Sequence, residues 1–451
     1  MSQTSKRHGI ADFSKRVGMI RKDLHSSNFT PGIGAQAVRN FNEPFKKLHY
    51  TYSRAHDLMY TNPACRLADT SMIFSNMHDD PADPRNYYFE QTDFLFENLK
   101  SCGTDIFYQL GESFEHKLKP FNARQPENFE KYAEVLAGIV RHYNRGWANG
   151  YRWDIKYWEI WNEPDLIGKA WCGTLDEYYH FYSVAAKRLK KEFPEIKVGG
   201  PAFCTCIPRV ELIRAFLKRT GEEDAPVDFF SWHCYTDDIE NLLAQPALVR
   251  KVLDEEGYTK TETSLNEWHY TVNIDSIMHY GTPEQYRNAM FGPRGLHGID
   301  SVAFTAAVEA GFQDTPLDTA FFYGCDLFVW GFLNNDGSLN KIYHAVEMTG
   351  KLVSEYPNRI YAKSNYKPVY LLGGTDKSGS KYALMVSDYR GTDPELLIEL
   401  PGIAAPRNLV ATILDQEHYP TEIPARLEDG RLRLKKFVPS ESAVFFVTFE
   451  K

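Results

Sequence analysis

The sequence predicts an α/β fold, a (β/α)8 TIM barrel, with a C-terminal antiparallel β-sandwich domain. Three observations lead there. Between about residues 20 and 355, short apolar runs alternate with longer stretches of helical spacing, the pattern of a parallel sheet wrapped by helices. About eight such units fit, a count that suits a closed barrel better than an open doubly wound sheet, and no GxGxxG follows the early strands. Near residue 360 the pattern changes to runs of β-formers separated by Gly, Asp and Pro turns.

Residues 1–18 are polar and basic and read as an N-terminal tail, which leaves 19–358 for the barrel and 359–451 for the sandwich. Residues 48–54, Leu-His-Tyr-Thr-Tyr-Ser-Arg, read as a strand ending in polar groups. Residues 88–99 have helical apolar spacing, and Asp-Ile-Phe-Tyr-Gln-Leu at 105–110 follows as a strand. Residues 128–143 form an amphipathic helix with Phe129, Tyr132, Val135, Leu136 and Ile139 along one stripe. An aromatic strand then runs from Lys156 to Asn162-Glu163-Pro164. Proline disfavours the α conformation in the residue before it, so the strand should stop at Glu163. Strand alternation would put Tyr157, Glu159, Trp161 and Glu163 on one face. Further helices are expected at 175–193, 210–218, 248–255, 302–310 and 343–353. Strands are expected at 196–201, 227–233, 262–267 and 319–323. Residues 381–386 and 443–449 are β-rich and belong to the sandwich. Its role reads as support, with contacts between copies of the chain as a second reading.

The 451 residues are 43% hydrophobic and 25% charged, ordinary for a globular chain, and the net charge is -9 without a dense basic run. A nucleic-acid partner is therefore not expected. Seven cysteines are scattered without a CxxC pair, which reads as free thiols in a reducing compartment. No apolar run is long enough to span a membrane, and the first twenty residues carry no long apolar segment. The expected location is cytoplasmic.

In a barrel, functional groups gather at the C-terminal ends of the strands. Arg54 and His56, Asn162 and Glu163, His233 and Tyr235, and Glu267 all fall at such ends. Two carboxyls suit glycoside hydrolysis: one gives a proton to the leaving oxygen, the other attacks or activates water. At a separation of about 5.5 Å and an effective dielectric of about 20, their repulsion is roughly 3 kcal/mol. That is about two pKa units, enough to keep one protonated near neutral pH. Glu163 is read as the acid/base and Glu267 as the ionised nucleophile, held by Arg54 and Tyr235, with Asn162 on the sugar 2-hydroxyl. Bland readings compete. Arg54 could be an ion-pair partner for Glu159, and His233 alone would read as a core histidine. Trp161, Trp268, Phe322 and Tyr323 are candidates to stack on a sugar ring, though aromatics at strand ends are as often core. His56, His233 and His269 lack the spacing of a metal site. No metal or organic cofactor is expected.

These residues resemble the glycoside hydrolases of clan A, and within it family 39, the family of β-xylosidases and α-L-iduronidases. The likeness rests on Trp-Asn-Glu-Pro-Asp at 161–165, Lys-Val-Gly-Gly-Pro at 197–201, Asp-Phe-Phe-Ser-Trp-His-Cys-Tyr at 228–235, Arg-Ala-His at 54–56 and Gly-Phe-Leu at 331–333. It implies a retaining mechanism with Glu163 as acid/base and Glu267 as nucleophile. Two departures touch the sugar-binding wall: Asn266 precedes Glu267 where the family usually has Thr, and Phe322-Tyr323 stands where many relatives place a tryptophan. The expectation is a retaining exo-glycosidase acting on an oligosaccharide or glycoside, foremost a β-xylosidase. Other activities of the family, on α-L-iduronides, arabinosides or glucosides, stay open. So does a carbohydrate-binding protein that has lost turnover. The oligomeric state is open, a homo-oligomer included.

Overall fold

The computed structural model describes residues 7–31, 41–56, 58–59, 66–113, 123–204, 209–272, 282–325, 329–334, 336–403 and 405–450. Its strands in chain order begin with β1 (Gly9–Met19), β2 (Ser26–Asn28), β3 (Tyr52–Ala55) and a short hairpin of β4 (Leu58–Met59) and β5 (Arg66–Leu67). They continue with β6 (Asp105–Leu110), β7 (Tyr157–Ile160), β8 (Lys197–Phe203), β9 (Phe229–Thr236), β10 (Glu262–Tyr270) and β11 (Thr319–Phe322). Eight of these, β2, β3 and β6 to β11, close into a parallel barrel. The (β/α)8 expectation holds, and Glu163 and Glu267 follow or end the fourth and seventh barrel strands.

Helices separate the strands. They are α1 (Asn42–Leu48), α2 (Thr70–Ile73), α3 (Glu90–Ser101), α4 (Phe129–Arg145), α5 (Leu175–Glu192), α6 (Val210–Glu222), α7 (Ile239–Glu255), α8 (Pro283–Phe291), α9 (Ile299–Phe312) and α10 (Lys341–Glu355). Their boundaries follow local chemistry. The Asn128 side chain accepts from the Lys131 N–H at the start of α4, and Gly146 ends that helix at φ 74°. Thr174 and Glu177 form a reciprocal capping box at α5. The helix expected at 248–255 starts nine residues earlier, because α7 runs through Pro246 from an Asp238 cap. The ring costs one hydrogen bond, and burial of Ile239, Leu242 and Val249 outweighs it. α9 is buried on almost every side, since it lies between the barrel and the second sheet.

The C-terminal strands are β12 (Asn358–Ser364), β13 (Val369–Thr375), β14 (Lys381–Asp388), β15 (Glu395–Glu399), β16 (Arg407–Leu414), β17 (Thr421–Ile423), β18 (Arg426–Glu428), β19 (Arg431–Lys435) and β20 (Ala443–Glu450). With β1 they form one ten-stranded, mostly antiparallel sheet that curls over its own core. Alternation divides their side chains. Leu384, Val386, Phe445 and Val447 fill that core, while Ala383, Met385, Val444 and Phe446 join the barrel core. No helix among the described residues is long and apolar enough to cross a membrane.

Residues 9–19, expected as part of a polar tail, form β1 between β12 and β15. Only its first half is buried: Ala11 and Phe13 enter the sheet core, and Phe13 meets Tyr382 and Phe449 edge-on at 5.1 Å each. The exposed second half, with its basic residues, gave the segment its tail-like composition. Phe13→Ala is expected to destabilise the protein by about 3 kcal/mol, the cost of emptying a core aromatic site. Urea unfolding checks this: a residue in a loose tail would change stability by less than about 0.5 kcal/mol.

Candidate active site

The barrel interior is built in tiers by the two-residue period of its strands. Tyr52, Phe107, Tyr157, Phe229 and Phe321 pack together as an aromatic plug. Two residues further along the same strands come Arg54, Gln109, Glu159 and Ser231, a buried polar tier. His56 and His233 lie one step higher, and Tyr235 higher still.

Arg54 is fully buried and spends its guanidinium on protein acceptors. Nε donates to Glu159 at 2.7 Å, and Nη1 to Glu267 at 2.8 Å and to Asn28 at 3.2 Å. Nη2 donates to the Asn162 side-chain oxygen at 2.7 Å. The far oxygen of Glu159 accepts from Ser231 at 2.6 Å and from Asn266 at 2.5 Å. The Asn28 amide closes the ring by donating to the Asn266 carbonyl at 2.9 Å. One permanent cation thus serves two buried carboxylates, and neutral donors satisfy what it cannot reach.

Two backbone irregularities aim the carboxyls of Glu163 and Glu267. The β9–β10 register slips between Leu265 and Glu267, a bulge that lets consecutive residues Asn266 and Glu267 both reach Arg54's network. Beyond β7, Trp161 and Glu163 adopt left-handed φ of 69° and 48°. That breaks the alternation expected at 157–163. Trp161 turns into the helix layer against Trp171 and Phe181, while Asn162 and Glu163 turn inward. Each such φ costs about 1–2 kcal/mol.

Glu163, His233 and Glu267 each bring a donor or acceptor atom within 4.8 Å of the other two. His233 Nδ1 lies 2.8 Å from Glu163 and 3.3 Å from Glu267. Burial lowers the basicity of this imidazole, so its contact is an N–H bond between two carboxyls. Tyr235 donates to the second oxygen of Glu267 at 2.6 Å. Burial lifts the Glu163 carboxyl to about 7, against the opposing pull of the Cys204 thiol that donates to it and of Arg54. Burial raises Glu267 too, opposed by His233 and Arg54. Glu267 touches the guanidinium and Glu163 touches no cation among the described residues, so Glu163 is the group that holds the proton. The same three side chains are near enough to share a cation, but His233 Nδ1–H already fills the position between the carboxylates.

The structure brings together Arg54, His56, Asn162, Glu163, His233, Tyr235 and Glu267. Gln109 donates to the Leu110 carbonyl, so its side-chain oxygen accepts from His56 Nδ1 at 3.2 Å. Burial and Arg54 keep His56 neutral, leaving its Nε2 as an acceptor 3.7 Å from Glu267. Four expectations need correction, the first being Trp161, which is buried against Trp171 and Phe181 and faces no sugar. Arg54 holds protein groups and lies beneath Glu267, so it is not a sugar contact. Trp268 is buried against Phe312 and Phe322, because the residue after the inward-facing Glu267 points out of the barrel. Phe322 is likewise core, stacked on Phe332. Tyr323 stays near the site, 5.6 Å from the Tyr235 ring, and Trp330 joins both. Reasoning from sequence missed Asn28, Gln109, Ser231, Cys204 and Trp330, and it put Asn266 on the sugar-binding wall, where the structure has its amide donating to Glu159. For Gln109 and Ser231 a signal existed: each sits two residues after an inward-facing aromatic.

A carboxyl raised from 4.5 to about 7 binds its proton more tightly folded than unfolded. Its contribution to stability is complete below about pH 4.5 and is lost as pH rises through about 7, a span of roughly 3 kcal/mol. Glu163→Gln is therefore expected to raise the melting temperature at about pH 8 and to raise it much less at about pH 4.5. Calorimetry at both values checks the sign, and an equal change at each would contradict it.

The family model for glycosyl hydrolases family 39 matches residues 33–250. A β-xylosidase of Caldicellulosiruptor saccharolyticus is 30% identical over 243 residues, 51% of this chain and 46% of that protein. A β-xylosidase of Geobacillus stearothermophilus is 30% identical over 256 residues, 52% and 48% of the two chains. The chain spans about half the length of these curated relatives. Among solved structures, a glucosidase from Croceicoccus marinus superposes with a TM-score of 0.78 at 22% identity, covering 99% of this chain and all of that one. A family 39 β-xylosidase from Caulobacter crescentus gives 0.69 at 14% identity, with 99% and 100% covered. These two likenesses establish the shared fold. The family match, the barrel and the 30% identical relatives together support membership of the glycosyl hydrolases of family 39, on a match that spans residues 33–250.

Proposed function

We propose that this protein is a retaining exo-β-xylosidase working by double displacement. The observation that carries the reading is the spacing of the carboxyls of Glu163 and Glu267, with oxygens inside 4.8 Å. Retaining pairs stand about 5–5.5 Å apart, whereas inverting pairs leave about 6.5–9.5 Å for a water. The two 30% identical relatives are named β-xylosidases, which supports a terminal xylosyl unit as substrate.

Protonated Glu163 gives its proton to the glycosidic oxygen while a Glu267 oxygen bonds to C1. The leaving group departs as an alcohol, and a glycosyl ester remains on Glu267. Esterification removes the negative charge from Glu267. The charge facing Glu163 across the gap, worth about 3 kcal/mol of repulsion against an ionised Glu163 at an effective dielectric of about 20, disappears with it. Glu163 then accepts a proton from water as the water attacks C1, and Glu267 leaves as a carboxylate. Tyr235 keeps its own proton, since burial and Glu267 push its ionisation well up, so it steadies the Glu267 carboxylate before the ester forms and again as the ester breaks. The Asn162 amide nitrogen is buried without a partner among the described residues, which suits it to the sugar 2-hydroxyl.

Wild type is expected to hydrolyse an aryl β-xyloside with retention at the anomeric carbon, read by NMR, and an inverted product would overturn the mechanism. Glu267→Ala should abolish turnover. Glu163→Ala should lose about 10²–10⁴-fold on poorly activated leaving groups and far less on dinitrophenyl glycosides. The alkaline limb of the rate profile should fall near pH 7, where Glu163 gives up its proton.

A further inference from the structure

We propose that Arg390, on the second sheet, is a positioning residue for the barrel strands that carry Tyr235 and Glu267. The inference rests on the double displacement proposed for that site and assigns the second sheet a part in it.

Arg390 lies two residues past β14, in a left-handed conformation at φ 59°. Its guanidinium forks toward three different segments. Nε donates to Asp300 at 2.6 Å, Nη1 to Asp237 at 2.9 Å and Nη2 to the Tyr270 hydroxyl at 3.1 Å. Asp237 is the first residue beyond β9, two positions past Tyr235. Tyr270 is the last residue of β10, three positions past Glu267. In the β9–β10 ladder Tyr270 pairs with Thr236, immediately above the His269–Tyr235 pair. One side chain therefore ties the ends of both strands just beyond the hydrogen bond from Tyr235 to Glu267.

The arginine is itself held in place. Ser442 donates to the second oxygen of Asp300 at 2.6 Å and accepts from the Arg390 N–H at 2.9 Å. The Tyr389 ring lies 4.7 Å from the guanidinium, and its hydroxyl donates to the Asp237 carbonyl at 2.7 Å. Gly391 allows the tight turn, because a Cβ there would sit 2.0 Å from Asp388. Tyr270 also donates to the Arg294 carbonyl at 2.9 Å, so the clamp reaches the segment between α8 and α9. A planar fork facing two carboxylates and a phenol is a task that an ammonium group cannot reproduce. Releasing the strand ends would let the Glu267 carboxylate turn away from C1, where an error of about 1 Å costs on the order of a hundredfold in rate.

The test compares wild type, Arg390→Ala and Arg390→Lys in the full chain. For Arg390→Ala, kcat on an aryl glycoside is expected to fall at least about tenfold while KM stays within about threefold. Amide hydrogen exchange should quicken at residues 229–238 and 262–272 and not elsewhere in the barrel. Arg390→Lys should fall between the two, and millimolar guanidinium should restore part of the lost kcat in Arg390→Ala. Unchanged kcat and exchange would overturn the inference. So would a kcat loss accompanied by faster exchange throughout, which marks general destabilisation. Should Arg390→Ala fail to fold, Arg390→Lys and Arg390→Gln carry the same comparison. If wild type hydrolyses no glycoside, the proposed function fails while the exchange measurement still decides whether Arg390 holds the strand ends.

Discussion

A single guanidinium, sealed inside the barrel, is the constraint around which the site is built. Arg54 cannot lose its proton and cannot reach water, so its charge must be balanced by side chains. Two carboxylates do so from different strands, Glu159 below and Glu267 above. Glu159 is then fixed by Ser231 and Asn266, which leaves Glu267 as the carboxylate that faces the cavity. The arrangement separates two chemically identical groups. Glu267 has a cation and a phenol; Glu163 has a neutral imidazole, a thiol and a dry surrounding. Desolvation acts on both, and only one is compensated by direct contact with the cation.

The aromatic plug beneath this tier matters to the same balance. Phe107, Tyr157, Phe229 and Phe321 close the barrel under the arginine, so the polar network is not screened from below. Electrostatic differences among neighbours are larger in such surroundings than at a wet surface. The plug is also the origin of the polar tier, because each of its residues fixes which side chain two positions on will face the barrel axis.

Much of this was legible in the sequence wherever local periodicity and tertiary demand agree. The α4 stripe and the polar groups at strand ends follow rules that act over a few residues. The barrel order placed Arg54, Glu163, His233 and Glu267 at the ends of the second, fourth, sixth and seventh strands, and their meeting in space follows from closure. Three features lay beyond such reading. β2 is Ser-Ser-Asn, three buried residues without one apolar side chain, so hydrophobic patterning has nothing to detect. Asn266 and Glu267 both reach the Arg54 network only because of a bulge, and Trp161 turns away only because of a left-handed φ. Those shifts depend on partners far along the chain. Trp268 was misjudged for the same reason: proximity in sequence to a reactive carboxyl says nothing of direction once the pleat is counted.

The position of β1 has a consequence for how the molecule is made. Residues 9–19 precede the whole barrel in the chain, yet their ladder partners lie at 358–364 and 398–399. At ordinary translation rates, on the order of tens of seconds separates their emergence from the ribosome. For that interval the segment has no neighbour to pair with, and the whole barrel is completed first. Its exposed second half carries Lys15 and Arg16 side by side, and charges on an unpaired strand disfavour pairing with other chains. The ladder closes only when residues 358–364 and 398–399 arrive to enclose the segment on both sides.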